Sequence, residues 1–204
     1  MTVPPKIIPL FFLILGLVLL FQVSLPMAVY KFWELKSENA TLVSPFGSQV
    51  SGISISSQDN FPIFVSNLKR STPAPYQQFK ISIEKLSIKE AMVTVDSNDL
   101  DKGLVLLPGT ALPGERGNVF ISGHSSVLFK NNFSRLQELH SGDQIKLNVG
   151  GTDLNYQVVS SKAVDPKDLS VIASPDGVGR YLSLMTCVPP GLNFKRLVVL
   201  AELI

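Results

Sequence analysis

A single cysteine, Cys187, stands in the 204 residues, and there are only two histidines, His124 and His140. One thiol excludes an intramolecular disulfide framework and any metal site built on several cysteines. With two histidines, a zinc site would have to be completed by carboxylates. Charge is scarce as well: Asp, Glu, Lys and Arg make up 17% of the chain, against a usual ~25%. The 18 basic and 16 acidic side chains leave a net charge of +2. Neither a strongly basic nucleic-acid binder nor an acidic disordered tail fits that balance. Phosphate-binding loops, βαβ alternation and internal repeats are all missing. The length itself suggests one folded domain with an appendage.

The apolar residues are concentrated at the start. Residues 7–30 carry no charge and lie between Lys6 and Lys31. As a helix they would reach ~36 Å, enough to cross a ~30 Å hydrocarbon core. Pro26 would end or kink the helix, and Tyr30 and Trp33 suit a membrane interface. A cleaved signal peptide has a shorter apolar region, about 7–15 residues, and Pro26-Met27-Ala28 is a poor cleavage site. Residues 1–30 therefore read as a transmembrane anchor in contact with lipid, with a short cytoplasmic tail. Residues 31–77 read as a Ser/Pro-rich linker punctuated by Pro45, Pro62, Pro73 and Pro75. Short alternations there, such as Ser51–Ser56, could pair as strands. Asn39-Ala40-Thr41 and Asn132-Phe133-Ser134 match glycosylation acceptors, which matter only in a eukaryotic secretory route.

Residues 78–204 read as a mainly β domain. Alternation marks strands at Phe79–Leu86 and Gln144–Val149, the latter returning at Leu154–Ser161, and short apolar runs mark others at Ala91–Val95, Gly103–Leu107, Asn118–Ser122, Tyr181–Cys187 and Arg196–Glu202. Gly150-Gly151 turns one pair into a hairpin. Asn131–His140 reads as the one soluble helix, with Phe133, Leu136 and Leu139 on one face and Ser141-Gly142-Asp143 as its stop. About eight short strands with one helix predict a barrel or sandwich.

Three residues at strand edges carry the chemistry. Cys187 ends an apolar strand just before Pro189-Pro190-Gly191, His124 follows another, and Arg196 begins the last. Each alone has an ordinary reading: a buried apolar thiol, a satisfied polar residue, a solvated charge. Together they make a set. A thiolate is a nucleophile whose pKa falls beside a cation. An imidazole can take and return a proton. A guanidinium stays charged and can hold an oxyanion. His140, at the end of the expected helix, reads as structural.

The segments Gly109–His124 (GTALPGERGNVFISGH), Leu184–Cys187 (LMTC) and Arg196–Val199 (RLVV) resemble the sortases. So do Ile81–Val93 and Phe133–Ile145, in the order His, Cys, Arg. The resemblance covers about residues 79–204. It implies an eight-stranded sortase-type β-barrel with one or two short helices, preceded here by the transmembrane helix. It implies a single-pass membrane enzyme with an extracellular catalytic domain. Such a cysteine transpeptidase cleaves an LPxTG-like sorting signal between Thr and Gly. It joins the acyl part, through a thioacyl intermediate, to an amine acceptor such as a cell-wall precursor or pilin lysine. By position Cys187 is the nucleophile, His124 the general acid/base, Arg196 the oxyanion and substrate contact, and Thr186 a further substrate contact. The loop Asp165–Gly179 matches the segment that helps grip the signal.

The chain departs from the family pattern at several points. Ser183-Leu184 stands where Thr-Leu is common, Glu84 where a Pro is common, and Ser125 where an Arg is frequent. The lack of an Asp-aromatic lid motif and of an apolar segment after Ile204 points to a housekeeping-like or small specialised class rather than a pilus polymerase. No cofactor is expected. Some sortases bind calcium, but the spacing of Glu138, Asp143 and Asp153 fits no recognised calcium loop. Two alternatives remain open on the sequence: a cysteine peptidase of the same fold, and a non-catalytic membrane-tethered barrel scaffold.

Overall fold

The protein is described from a computed structural model. It covers residues 12–22, 24, 25, 28, 73–125, 133–189 and 195–204, together with the strand backbones of Ile53–Gln58 (β1) and Phe61–Ser66 (β2). Two compact units, Met1–Asn39 and Ala40–Ile204, are distinguished. In the first, residues 12–22 form a helix whose apolar side chains are almost all exposed. Among the described residues no helix is long and apolar enough to cross a membrane. The expected span over 7–30 lies partly outside them.

In the second unit β1 and β2 pair as an antiparallel hairpin, with Gln58 opposite Phe61. The segment expected to be a spacer thus contains paired strands where Ser-Ile alternation runs. Eight further strands close a barrel. They are Gln78–Ile83 (β3), Ile88–Thr94 (β4), Leu104–Leu106 (β5), Gly117–Ser122 (β6), Gln144–Val149 (β7), Thr152–Val164 (β8), Arg180–Val188 (β9) and Lys195–Leu203 (β10). Their order is β10-β8-β7-β3-β4-β5-β6-β9, and β9 pairs back onto β10. The β4–β5 and β6–β9 pairs are parallel and the others antiparallel.

Local chemistry explains most boundaries. Gly150 and Gly151 sit at φ 57° and 90°, which a type I′ hairpin needs at both central positions. β8 outruns its β7 partner because its far half pairs with β10, up to Val164 opposite Arg196. The first barrel strand is shorter than expected. It ends at Ile83, and Glu84–Leu86 turn as a 3₁₀ helix closed by Ser87 at φ 59°.

The expected helix over 131–140 is not formed in its described part, 133–140. Only Leu136–Glu138 make a 3₁₀ turn. Phe133, Leu136 and Leu139 are buried all the same. Their spacing of three is the period of a 3₁₀ turn, not of a sustained α-helix. The Asp143 carboxylate also accepts from the His140 N–H at 2.7 Å, which holds the chain in a turn.

Candidate active site

β9 is buried along nearly its whole length, because it lies between β6 and β10 and is covered on both faces. Successive side chains alternate between those faces. Leu182, Leu184 and Thr186 point one way, and Ser183, Met185 and Cys187 the other. The register carries this across the sheet. On β10, Val198 is opposite Met185 and Arg196 is opposite Cys187. On β6, Phe120 is opposite Ser183 and Ser122 is opposite Met185.

Phe120, Met185 and Val198 form an apolar cluster with Leu107, Val164 and Ile172. Leu169 and Val171 of the β8–β9 connector pack against it. Cys187 and Arg196 continue the same face one step further along their strands.

Cys187 and Arg196 are each only 1% exposed. A buried guanidinium is costly unless neighbouring groups compensate it. The fold places it directly across from the one thiol. Arg196 donates to the Lys195 carbonyl at 3.2 Å, and both the thiol and Asp165 favour its charge against the burial that lowers its pKa. Burial pushes the Cys187 thiol up to about 11, with Arg196 pulling the other way.

His124 reaches the same end of the barrel through the parallel pairing. It follows the last β6–β9 pair, Ser122 with Met185, by two residues, as Cys187 does. Gly123 N–H donates to the Met185 carbonyl at 3.0 Å, and Thr186 Oγ donates to the Gly123 carbonyl at 2.9 Å. The His124 carbonyl accepts from Phe133 N–H at 2.7 Å. Burial lowers the imidazole pKa, and Asp101, 3.9 Å from Nε2, opposes this. At neutral pH the resting pair is therefore a thiol and a neutral imidazole.

The structure brings Cys187, Arg196 and His124 to one end of three neighbouring strands. Thr186 is buried on the opposite face of β9 from Cys187, where its hydroxyl holds the residue before His124. Two acidic neighbours carried no sequence signal: Asp101 beside His124 and Asp165 beside Arg196. Asp101 lies in the short 3₁₀ helix Leu100–Lys102 and Asp165 just after β8, positions that no alternation records. Among the described residues no group of three or more Cys, His, Asp or Glu could hold a metal ion. Glu138, Asp143 and Asp153 pair instead with Arg135, Lys85 and Lys146. His140 belongs to the same surface network, its Nδ1 lying 2.7 Å from the Glu138 carbonyl.

The arrangement sets a buried thiol, a partly buried imidazole and a buried cation beside an apolar cluster. Comparisons with known proteins agree with it. Residues 81–204 match the sortase domain. Sortase D of Bacillus subtilis (strain 168) is 32% identical over 110 residues, 53% of this chain and 53% of that protein. The match thus spans about half the length of the curated relative. The structure of Clostridium perfringens sortase C with the C-terminal cell wall sorting motif superposes with a TM-score of 0.56 at 29% identity, covering 61% of this chain and 69% of that one. A Clostridium perfringens sortase D5 transpeptidase gives 0.55 at 26% identity, covering 63% and 79%. The match to the family over most of the chain, on an eight-stranded barrel of this order, shows that this protein belongs to the sortase family.

Proposed function

We propose that the protein is a membrane-anchored cysteine transpeptidase acting on LPxTG-like sorting signals outside the cell. The observation that carries this reading is the buried pair of Arg196 and Cys187, opposite each other on adjacent strands with His124 level beside them. A buried cation facing a thiol has a direct use in stabilising an oxyanion.

The step begins with transfer of the thiol proton to His124 as Cys187 Sγ attacks the Thr carbonyl. Arg196 holds the negative charge that builds on the carbonyl oxygen. His124 returns the proton to the leaving Gly amine as the C–N bond breaks. An amine acceptor then attacks the thioacyl carbonyl and gives up its proton to His124. The C–S bond breaks, and Cys187 is restored as a thiol by that proton. The acceptor is a cell-wall precursor amine or a pilin lysine. Residues 7–30 would hold the enzyme in the membrane. A small specialised class is supported by the likeness to a sortase D.

The test is incubation of the protein with a panel of fluorescent LPxTG-like peptides, with and without amines, followed by mass spectrometry. The expected result is a peptide adduct on Cys187 that an added amine converts to a new amide. Cleavage with no transfer would favour a peptidase. No adduct from any peptide, with Cys187→Ala indistinguishable from the natural protein, would favour a scaffold barrel.

A further inference from the structure

The connector between β8 and β9 runs from Asp165 to Gly179 and contains one short 3₁₀ helix, Leu169–Ile172. A helix leaves its first N–H groups and last carbonyls without partners of its own. Here both ends are capped, by different means. At the start, Asp168 is a local cap: its carboxylate accepts from the Ser170 N–H at 3.0 Å and the Ser170 hydroxyl at 2.5 Å. At the end the cap comes from elsewhere in the fold. Asn118 Nδ2, on β6, donates to the carbonyls of Ile172 at 3.1 Å, Val171 at 3.3 Å and Ala173 at 3.5 Å. Asn118 is 4% exposed and more than fifty residues away in sequence.

The consequence lies in what that helix touches. Leu169, Val171 and Ile172 pack on Phe120, Met185 and Val198. Met185 and Val198 are two residues from Cys187 and Arg196 on the same face of β9 and β10. The connector therefore covers the face of β9 and β10 that carries the thiol, two residues along from it. The far end of the connector is held separately, by Asp176 accepting from Tyr181 OH and Gly179 N–H, both at 2.6 Å. Asn118 ties its middle to the barrel through side-chain hydrogen bonds.

We infer that Asn118 is a positioning residue: by capping the connector helix from β6 it fixes the connector beside which the peptide binds, and so sets peptide affinity rather than the rate of the chemical step. This rests on the proposed transpeptidase reading for its substrate, while the anchoring itself does not.

The experiment uses the full chain with Asn118→Ala, and with Asp168→Ala as a second variant that loosens the same helix from its exposed end. Hydrogen exchange should quicken at least tenfold within 165–175 and stay unchanged in β6, β9 and β10. KM for the cleaved peptide should rise at least tenfold in Asn118→Ala, with kcat within about threefold and the rate of Cys187 alkylation by iodoacetamide unchanged. Asp168→Ala should move the same quantities in the same direction. Unchanged exchange in 165–175, or loosened exchange with an unaltered KM, would overturn the inference. A fall in kcat with KM constant would do so too. If the natural protein neither binds nor cleaves any peptide, the transpeptidase reading fails and takes the affinity role with it. Exchange then decides the anchoring role by itself.

Discussion

At Cys187 two opposing influences meet, and burial wins. The thiol rises to about 11 although Arg196 stands directly opposite. At pH 8 only about one molecule in a thousand would hold the thiolate. Alkylation by iodoacetamide should therefore climb about tenfold per pH unit from 7 to 10 without levelling. A plateau at pH 8–9 would show that the thiol is not held in its neutral form. Arg196→Ala should push the midpoint still higher, because the guanidinium is the group that lowers it. On the proposed transpeptidase mechanism the same substitution removes the cation from the reacting carbonyl. Loss of one such donor costs about 10²–10³ in kcat, and Arg196→Lys should recover only part of it because the planar fork is lost. A peptide-cleavage assay on the three proteins, with melting followed alongside, checks this.

At the scale of elements, two glycines set how the site is held. Gly123 precedes His124 at the end of β6, and a Cβ there would lie 2.5 Å from Leu104 and 2.8 Å from the Phe133 ring. Gly123→Ala should shift His124 and lower kcat at least tenfold, with a stability loss of about 1–3 kcal/mol from overpacking. Peptide turnover together with thermal melting would reveal both, and an unchanged kcat would mean that His124 is not fixed by this turn. Gly179 has the same role at the end of the connector, where a Cβ would run into the Tyr181 ring. Gly179→Ala should break the Tyr181–Asp176 bond, seen as a fall in the tyrosine titration midpoint from about 12. These elements also show how far sequence reading reached. Alternation located β3 and β7, which have one face on the core, while β5, β6 and β9 are buried on both faces and read as short apolar runs. The segment 133–140 reads as helical in sequence but forms only a 3₁₀ turn, because buried Phe133, Leu136 and Leu139 satisfy a turn of period three as well as a helix face. The hairpin of β1 and β2 hid in a Ser-rich stretch that composition alone reads as spacer.

Across the whole molecule, the ionisable groups of the site leave their mark on stability. His124 has a folded pKa below its ordinary 6.5 because burial disfavours the imidazolium. The stability it contributes is present above pH 6.5 and is lost as pH falls through the lowered value. Cys187 works in the opposite sense. Its folded value of about 11 lies above the ordinary 9.0, so its contribution is complete below pH 9 and is lost as pH rises to 11, amounting to ~3 kcal/mol. Tyr181, raised from 10.0 to about 12, adds a later alkaline loss. Chemical denaturation at a series of pH values should thus show a plateau between about 6.5 and 9. Cys187→Ala should remove the part of the decline that begins at pH 9 and leave the Tyr181 part, which begins at pH 10, in place. An alkaline limb identical in both proteins would show that the thiol does not carry it.

What the sequence determined by itself was local and periodic: most strand positions, the Gly150-Gly151 hairpin, and the placing of Cys187, His124 and Arg196 at strand edges. Period-two burial and turn chemistry act over a few residues, so they are written where they act. Only the tertiary structure decided which strands meet. The parallel β6–β9 pairing joins residues about sixty positions apart and brings His124 level with Cys187. It turned Arg196, readable in sequence as a solvated charge, into a buried cation facing the thiol. It also made Asn118 the cap of a helix on another segment. Those outcomes depend on barrel closure and register, and on the burial that follows from them, and no short stretch of chain contains that information.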